Sequence, residues 1–540
     1  MQRNKVVLVI LDGWGIGPDY EGNAIKLAKT PTLDSLYHAF PHTELLASGQ
    51  SVGLPAGEDG NTETGHLNIG AGRIVYQDLP RINMSISDGS FFANKAFMKG
   101  LDNAKTGHNI HLLGLIGQGG VHSVNEHLFA LMRLFKDNKA PNVYLHLITD
   151  GRDSAPRSAG TYLSQVQNEI NSLKFGTIAT VMGRFYAMDR DHRWERTKVA
   201  YDAIVSGEGE KCQNLAECLD KKYSADETDE FLRPILPLYN GDTAPRIKSG
   251  DTVIFYNYRI DRPRQLTKAL VLDDKTLAIH TNSFDPYAIK YHKSHLVPEL
   301  TGEKIFARPN RPENLVFVTM TEYEKHLPVE IAFPPEFVEM PLSRVVALNG
   351  KRQLKLAESE KERFVTYYFN GQRDLKFPGE DVNITPSPKV PTYDLKPEMS
   401  GGEQTEKLLR AINSGLYELI VINYANPDMV AHTGSLPASI KACEYVDSWI
   451  KRIYQTVINR GDVTLLITAD HGNAEELISL ESGGIDTEHS SFPVPLYVIG
   501  KQFQNKSRRL PRGILGDIAP TILKLMGLNK PASMNGKSLL

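Results

Sequence analysis

Residues 463–473 read Val-Thr-Leu-Leu-Ile-Thr-Ala-Asp-His-Gly-Asn. The first six are nearly all apolar or β-branched, which predicts a strand, Val463–Thr468, buried on both faces as in a parallel sheet covered by helices. The strand empties directly into Asp470-His471, two residues that bind ions or move protons. The same design recurs outward from this stretch. Lys5–Leu11 runs into Asp12, and Leu419–Asn423 runs into Tyr-Ala-Asn-Pro-Asp428. Further strands are predicted at Asn109–Ile116, Val143–Ile148, Thr177–Met182 and Thr252–Tyr256, with amphipathic stretches such as Ala438–Asn459 between them. Alternation of this kind defines an α/β protein, and in open α/β sheets ligands collect beyond the carboxyl ends of the strands.

Those strand ends divide by chemistry. Ends near the two termini of the chain carry acids and histidines. Ends in the middle carry Gly-Gly-Val-His122, Asp150-Gly-Arg152-Asp153, Arg184 through Arg190, and Arg259-Ile-Asp-Arg262. The partition predicts one domain inserted into another, with metals in the outer one and anions in the inner one. A length of 540 residues suits two folding units. The crossings are expected at Arg73–Arg81 and within Thr301–Asn314, both proline-bearing. The proline-rich residues 370–400 read as a long irregular excursion near a site.

Composition excludes several classes. Hydrophobic residues make up 41% and charged ones 23%, an ordinary globular balance, and a net charge of -3 gives no global attraction for nucleic acid or an anionic membrane. No apolar run is long enough to span a bilayer, and the short run Val6–Leu11 stops at Asp12 without a cleavage site. The three cysteines, Cys212, Cys218 and Cys443, fit neither a zinc knuckle nor a disulfide framework, and their odd number fits a reducing cytoplasm.

Asp428 and His432 are spaced i, i+4, so one helical turn aims both the same way. With Asp12, Asp470, His471 and His489 they make three carboxylates and three imidazoles. Oxygen and nitrogen donors without thiolates suit manganese, zinc, cobalt or magnesium. Six ligands are too many for one catalytic ion that keeps an open position and about right for two. Singly, Asp12 reads equally well as a helix cap and His489 as a surface histidine; jointly, the set at successive strand ends has no structural explanation. Residues 53–73, GLPAGEDGNTETGHLNIGAGR, hold six glycines, which mark unusual backbone or close approach to a ligand. Thr62 in this stretch could stand at a turn opening a helix, where free N–H groups favour phosphate. By itself the loop is also consistent with a plain turn.

LDGWG (11–15), GHLNIGAGRIVYQDL (65–79), GGVHS (119–123), TDGRD (149–153), GRFYAMDRD (183–191), FPGED (377–381), PSPKVPTYDL (386–395), NYANPDMVAHTG (423–434) and TADHGNAE (468–475) occur in that order. On these motifs the chain resembles, over nearly its whole length, the cofactor-independent phosphoglycerate mutases of the alkaline phosphatase superfamily. The resemblance implies a metal-binding, alkaline-phosphatase-like domain from residues 1–76 and 312–540, with a second α/β domain, residues 77–311, inserted as the transferase and substrate-binding part. It implies one ion on Asp428, His432 and His489, and another on Asp12, Asp470 and His471 together with the nucleophile oxygen of Thr62. It gives His122, Arg152, Asp153, Arg184 and Arg190 to the glycerate, Arg259 and Arg262 to the phosphate, and a place beside the nucleophile to Lys325. It also implies that Asp153 carries the hydroxyl proton.

The implied activity is interconversion of 3-phosphoglycerate and 2-phosphoglycerate through a phosphoenzyme. It needs two divalent ions, manganese first and cobalt or magnesium next, and no 2,3-bisphosphoglycerate. The implied protein is a cytoplasmic monomer with small-molecule partners and no nucleic acid or membrane partner. One departure stands out: the family's nucleophile is serine, and this chain has Thr62, whose extra methyl restricts the rotamer. A phosphopentomutase-like enzyme or phosphatase, or a metal-binding protein without catalysis, are the competing readings. TDGRD, GRFYAMDRD and NYRIDR count against the first, and only Thr62 favours the second.

Overall fold

Strand Lys5–Leu11 is the middle of a sheet, and everything that matters chemically in its unit hangs from that position. A computed structural model describes residues 5–282 and 305–540 and divides the chain into two units, Met1–Pro80 with Glu336–Leu540, and Arg81–Pro335. In the first unit eight strands lie in the order Glu380–Thr385, Gln353–Glu358, Leu419–Tyr424, Lys5–Leu11, Val463–Thr468, Val494–Ile499, His42–Leu46 and Gly513–Ile514. All neighbours are parallel except Val494–Ile499, which runs against both of its partners. Val9 is paired with Ile422 on one side and Ile467 on the other, and all three are fully buried. Each such aliphatic side chain contributes about 1.5–3 kcal/mol by leaving water. That burial on both faces explains the unbroken apolar runs.

The second unit has its own sheet, in the order Glu330–Phe333, Val316–Thr321, Thr252–Phe255, Ile110–Leu115, Val143–Thr149, Thr177–Gly183, Ile235–Tyr239 and Glu210–Cys212. Here only the contact between Thr177–Gly183 and Ile235–Tyr239 is antiparallel on this path. The α/β class with an inserted second α/β unit therefore holds.

The boundaries differ from those expected. The inserted unit runs from Arg81 to Pro335, not from 77 to 311. Val316–Thr321 adds to strand Thr252–Phe255, and Glu330–Phe333 adds to Val316–Thr321. Ladder hydrogen bonds therefore keep residues 312–335 in the inserted sheet, and the prolines at 309 and 312 lie inside that unit. Of the crossing expected within Thr301–Asn314, residues 301–304 lie outside the described residues. The first crossing is partly helical, since helix Asp78–Asp88 begins before Pro80. The excursion at 370–400 is also less irregular than its prolines suggest, because Glu380–Thr385 forms the edge strand of the first sheet.

A further correction concerns the cysteines. Cys212 and Cys218 form a disulfide with their Cα atoms 6.4 Å apart. Asn214 caps helix Leu215–Ser224 by accepting from Ala216 N, and this turn brings the first helical residues back beside the end of strand Glu210–Cys212. Cys443 is free and buried. Among the described residues, no helix is long and apolar enough to cross a membrane.

One helix of the inserted unit carries a pH dependence. His127, fully buried in helix Asn125–Asp137, meets Asn83 Oδ1 through Nε2 at 2.8 Å, and burial pushes its pKa down to about 3. The unfolded chain binds a proton near pH 6.5 that the folded chain refuses, so stability present above pH 6.5 is lost as pH falls below it. Between pH 7 and pH 5 this residue alone should cost about 2 kcal/mol. Urea unfolding should show His127→Gln losing less stability than the parent over that interval. Equal losses would mean that His127 is protonated in the folded protein.

Candidate metal and phosphoryl-transfer site

Three adjacent strands of the first unit deliver its ligands from their carboxyl ends. Asp12 follows Lys5–Leu11, and Asp470 and His471 follow Val463–Thr468. Asp428 lies on the short helix Asn426–Ala431 just after Leu419–Tyr424. Gly13, with φ of +69°, turns the chain after Asp12 at a point where a Cβ would stand 2.9 Å from the Asp428 Cα. Thr62 opens helix Thr62–Ala71, whose N-cap Asn61 accepts from Thr64 N. Gly65 lets that helix approach the strand end, since a Cβ there would meet the Asp470 carbonyl oxygen at 2.5 Å.

The donor atoms converge in two groups. His432 Nδ1 bonds to the Thr487 carbonyl at 2.7 Å and His489 Nδ1 to the Gly60 carbonyl at 2.9 Å. Each ring thereby donates its proton to the main chain, and its Nε2 lone pair faces inward. The two Nε2 atoms stand 3.1 Å apart, and 3.2 Å and 3.4 Å from Asp428 Oδ1. Three acceptors converging in this way repel one another unless a cation lies between them. His471 is held similarly by the Gly472 carbonyl, and its Nε2 reaches Thr62 Oγ1 at 2.8 Å, Asp12 Oδ1 at 3.4 Å and Asp470 Oδ2 at 3.5 Å. The residues therefore fit two divalent ions, with the outer imidazole nitrogens anchored as metal-bound histidines usually are. All six ligands foreseen from the sequence, and Thr62, come together.

Several participants were not foreseen. His66 forms a ligand-like group with Asp12 and Asp470. It sits within the quoted GHLNIG motif, but only its i, i+4 spacing from Thr62 could have signalled it. Asn423 donates to Asp12 Oδ2 at 2.6 Å, and Asn473 donates to Asp428 Oδ1 at 2.9 Å. The lysine beside Thr62 is Lys361, 3.2 Å from the hydroxyl oxygen. Lys325, expected in that place, lies in the inserted unit on an exposed turn after strand Val316–Thr321.

Charge balance within the cluster is tight. Burial would raise Asp428, yet Lys361 and the histidines hold it well below the usual carboxylate range. Burial acts the same way on Asp470, and His471 and His66 hold it at about 2. Burial opposes charge on His471, but Asp470, Asp12 and Asp428 lift it to about 10.

The arginine set of the inserted unit is likewise built at carboxyl ends of parallel strands: Ile110–Leu115, Val143–Thr149, Thr177–Gly183 and Thr252–Phe255. Arg184, almost fully buried, pairs with Asp150 and Asp153 through NH1 and reaches His122 Nε2 through NH2 at 3.0 Å. Asp261 gathers Arg190 at 2.7 Å and Arg259 at 3.0 Å. Burial, reinforced by Arg184, Arg190 and Arg152, lowers Arg262 to about 10. Burial and then Arg184 push His122 down to about 3, so it is neutral. Burial favours a neutral Asp153, but the hydrogen bond and charge of Arg184 outweigh it and lower its pKa. Arg152 is more exposed and stands 3.5 Å from Glu230. All the inserted-unit residues named from the sequence except Lys325 thus cluster, and Asp150 and Asp261 are the carboxylates that sequence reading left without a role.

Fold and site together are those of an α/β protein with a carboxylate–imidazole centre suited to divalent ions in one unit and a cluster of arginines in the other. A family model described as the BPG-independent PGAM N-terminus matches residues 82–325, nearly the inserted unit. A 2,3-bisphosphoglycerate-independent phosphoglycerate mutase from Chloroflexus aggregans is 48% identical over 540 residues, covering 99% of this chain and 98% of the relative. One of the same name from Clostridium botulinum is 44% identical over 543 residues, with 100% of both chains covered. A solved phosphoglycerate mutase from Leishmania mexicana, determined at low cobalt concentration, matches with a TM-score of 0.58 and 26% identity, covering 99% of this chain and 97% of that one. The chain belongs to the 2,3-bisphosphoglycerate-independent phosphoglycerate mutase family.

Proposed function

We propose that this isomerase interconverts 3-phosphoglycerate and 2-phosphoglycerate by carrying the phosphoryl group on Thr62 Oγ1, with two divalent ions, manganese by preference, in the carboxylate–imidazole centre. The observation that carries the reading is Thr62 itself: a buried hydroxyl at a helix N-terminus, 2.8 Å from His471 Nε2 and among two ligand groups. One ion would rest on Asp428, His432 and His489, the other on Asp12, Asp470 and His471. When bound they would supply Lewis-acid neutralisation of the phosphoryl oxygens and ease ionisation of the hydroxyl.

The chain's own groups do the rest. The helix N-terminus at Thr62 favours the phosphate it receives. Arg184, Arg190, Arg152 and His122 hold the glycerate, the guanidinium forks matching its carboxylate. Arg259 and Arg262 are assigned to the phosphate on the family resemblance, and the lysine that the resemblance sets beside the nucleophile is Lys361 rather than Lys325. Asp153, loosened from Arg184 when the arginine grips substrate, takes the proton of the 2-hydroxyl and returns one to the departing oxygen of the next turnover. Because the phosphoryl group is stored on the enzyme, no 2,3-bisphosphoglycerate is required. We place the enzyme in the cytoplasm with glycolysis, as a monomer.

A coupled assay through enolase tests this. Chelation should abolish conversion, and manganese or cobalt should restore it without added 2,3-bisphosphoglycerate. Full turnover in a thoroughly demetallated sample would sink the two-ion reading. As pH falls towards about 6 with metal limiting, protonation of the histidine ligands should weaken activity further.

A further inference from the structure

Glu475 ends the stretch TADHGNAE (468–475), and neither the spacing of the motif nor the resemblance gives it a task. It is fully buried, which is costly for a carboxylate unless its oxygens are satisfied. Oε2 accepts from Gly15 N and from Asn473 N, both at 2.9 Å, and Oε1 accepts from the Ser490 hydroxyl. All three partners are neutral donors, two of them main-chain, so the carboxylate works as a three-way acceptor. The chain keeps glycine where a side chain would displace it. A Cβ at Gly15 would stand 2.2 Å from its Cδ, and one at Gly472 2.1 Å from its Oε1.

The three donors lie on three of the segments that carry the ion ligands. Gly15 stands three residues beyond Asp12. Asn473 stands two beyond His471, and with its main chain held it donates Nδ2 to Asp428 Oδ1 at 2.9 Å. Ser490 follows His489, and its N donates to the Gly472 carbonyl at 3.0 Å. Asp428 Oδ1 is the oxygen that the Nε2 atoms of His432 and His489 approach. Two of the three arms therefore end on one ligand group, through Asn473 on Asp428 and through Ser490 on His489. An apolar side chain could fill the same volume. It would leave the Gly15 and Asn473 N–H groups without an acceptor and both loops free to shift.

We propose that Glu475 is a positioning residue for the ion of Asp428, His432 and His489, fixing the ligand-bearing loops through its three hydrogen bonds; this rests on the two-ion reading of the centre. It acts at one remove. Asn473 aims Asp428 Oδ1 at the two imidazoles, and Ser490 fixes the main chain from which His489 reaches inward. Outer partners of this kind are commonly worth about 10–100-fold in metal affinity. The other ion, on Asp12, Asp470 and His471, is joined to Glu475 through main chain alone, at Gly15 and Asn473, so it depends on the carboxylate less.

The test titrates manganese into the metal-free full chain and follows the paramagnetic signal of the free ion. Anomalous diffraction at limiting manganese reads the occupancy of each site, and melting temperature reports the fold. Glu475→Ala should bind the ion of Asp428, His432 and His489 about 100-fold more weakly and the other ion within about threefold of the parent. Ser490→Ala, which removes one arm, should weaken the same ion by about tenfold. Glu475→Gln should stay within about threefold of the parent at both sites, because its amide oxygen can take both N–H groups and its NH2 can donate to the Ser490 oxygen. Saturating manganese should restore kcat in Glu475→Ala, which a damaged fold would not allow. Parent affinity at both sites in Glu475→Ala overturns the proposal, as do equal weakening of both ions, a Gln variant as weak as the Ala variant, or a kcat that stays low with both ions bound. A parent chain that binds fewer than two manganese ions overturns the two-ion reading instead. If Glu475→Ala fails to fold, Ser490→Ala decides, and parent affinity there overturns the role of Glu475.

Discussion

Thr62→Ala is expected to lose all measurable mutase activity while keeping its fold and both ions. The substitution removes one oxygen from a position where His471 and Lys361 both reach it, and leaves all six carboxylate and imidazole ligands in place. The nearest hydroxyl cannot take over. Thr64 donates its Oγ1 proton to Asn61 within the helix cap, so it is committed to the loop rather than to the ligand groups. Thr62→Ser should hold or raise activity. If the methyl crowds the site by about 1–3 kcal/mol, its removal speeds the reaction by roughly one to two powers of ten. Mass spectrometry of the unmodified enzyme quenched with substrate should find phosphate on Thr62. Substantial turnover by Thr62→Ala, or phosphate on Thr64, would overturn the assignment.

Removing Arg184 should damage the protein twice over. Its guanidinium is the cation between Asp150 and Asp153, and it also meets His122. Without it the almost fully buried Asp150 loses its ion pair, and breaking such a pair from one side costs about 3–5 kcal/mol. Arg184→Met should therefore unfold at a clearly lower urea concentration than the parent. If Arg184 also grips the glycerate carboxylate, kcat/KM should fall by about 10³, since a bidentate charged contact is lost and Asp153 loses its partner. Arg184→Lys should recover more of the stability than of the activity, because a point charge neutralises carboxylates but does not fork. A parent-like urea midpoint together with kcat/KM within tenfold of the parent would refute both halves.

Local sequence made much of the framework legible, and where it failed the reason is specific. Val463–Thr468 and Lys5–Leu11 were read to the residue because both faces of those strands are buried, so nothing polar interrupts the pattern. Gln353–Glu358 was missed although it is buried throughout. Its sequence QLKLAE alternates with charge, and only the tertiary structure supplies what those charges need. Lys355 stands over the Phe369 ring with Nζ 3.4 Å from its centroid, and burial lowers its amine to about 7. Glu358 takes Ser400 N. The strand that carries the turn of Lys361 was therefore invisible to a periodicity argument, and the lysine with it.

The domain boundary failed for a related reason. Prolines at 309 and 312 mark where a chain can turn, but not which sheet the next strand will join. That choice was made by the pairing of Val316–Thr321 with Thr252–Phe255, a contact between segments about sixty residues apart.

What the sequence by itself determined was the chemistry at each strand end: Asp12, Asp428, His432, Asp470, His471 and His489 as one set of donors, and the arginines as another. Their types and spacings are local facts. Only the tertiary structure decided which atoms face which. Lys361 lies nearly 300 residues from Thr62 in the chain and 67 from Asp428, and it reaches both because strand Gln353–Glu358 lies beside Leu419–Tyr424, itself beside Lys5–Leu11. A buried ammonium keeps its charge only where carboxylates already wait for it, and that condition is set by strand order, which no single segment of the chain encodes.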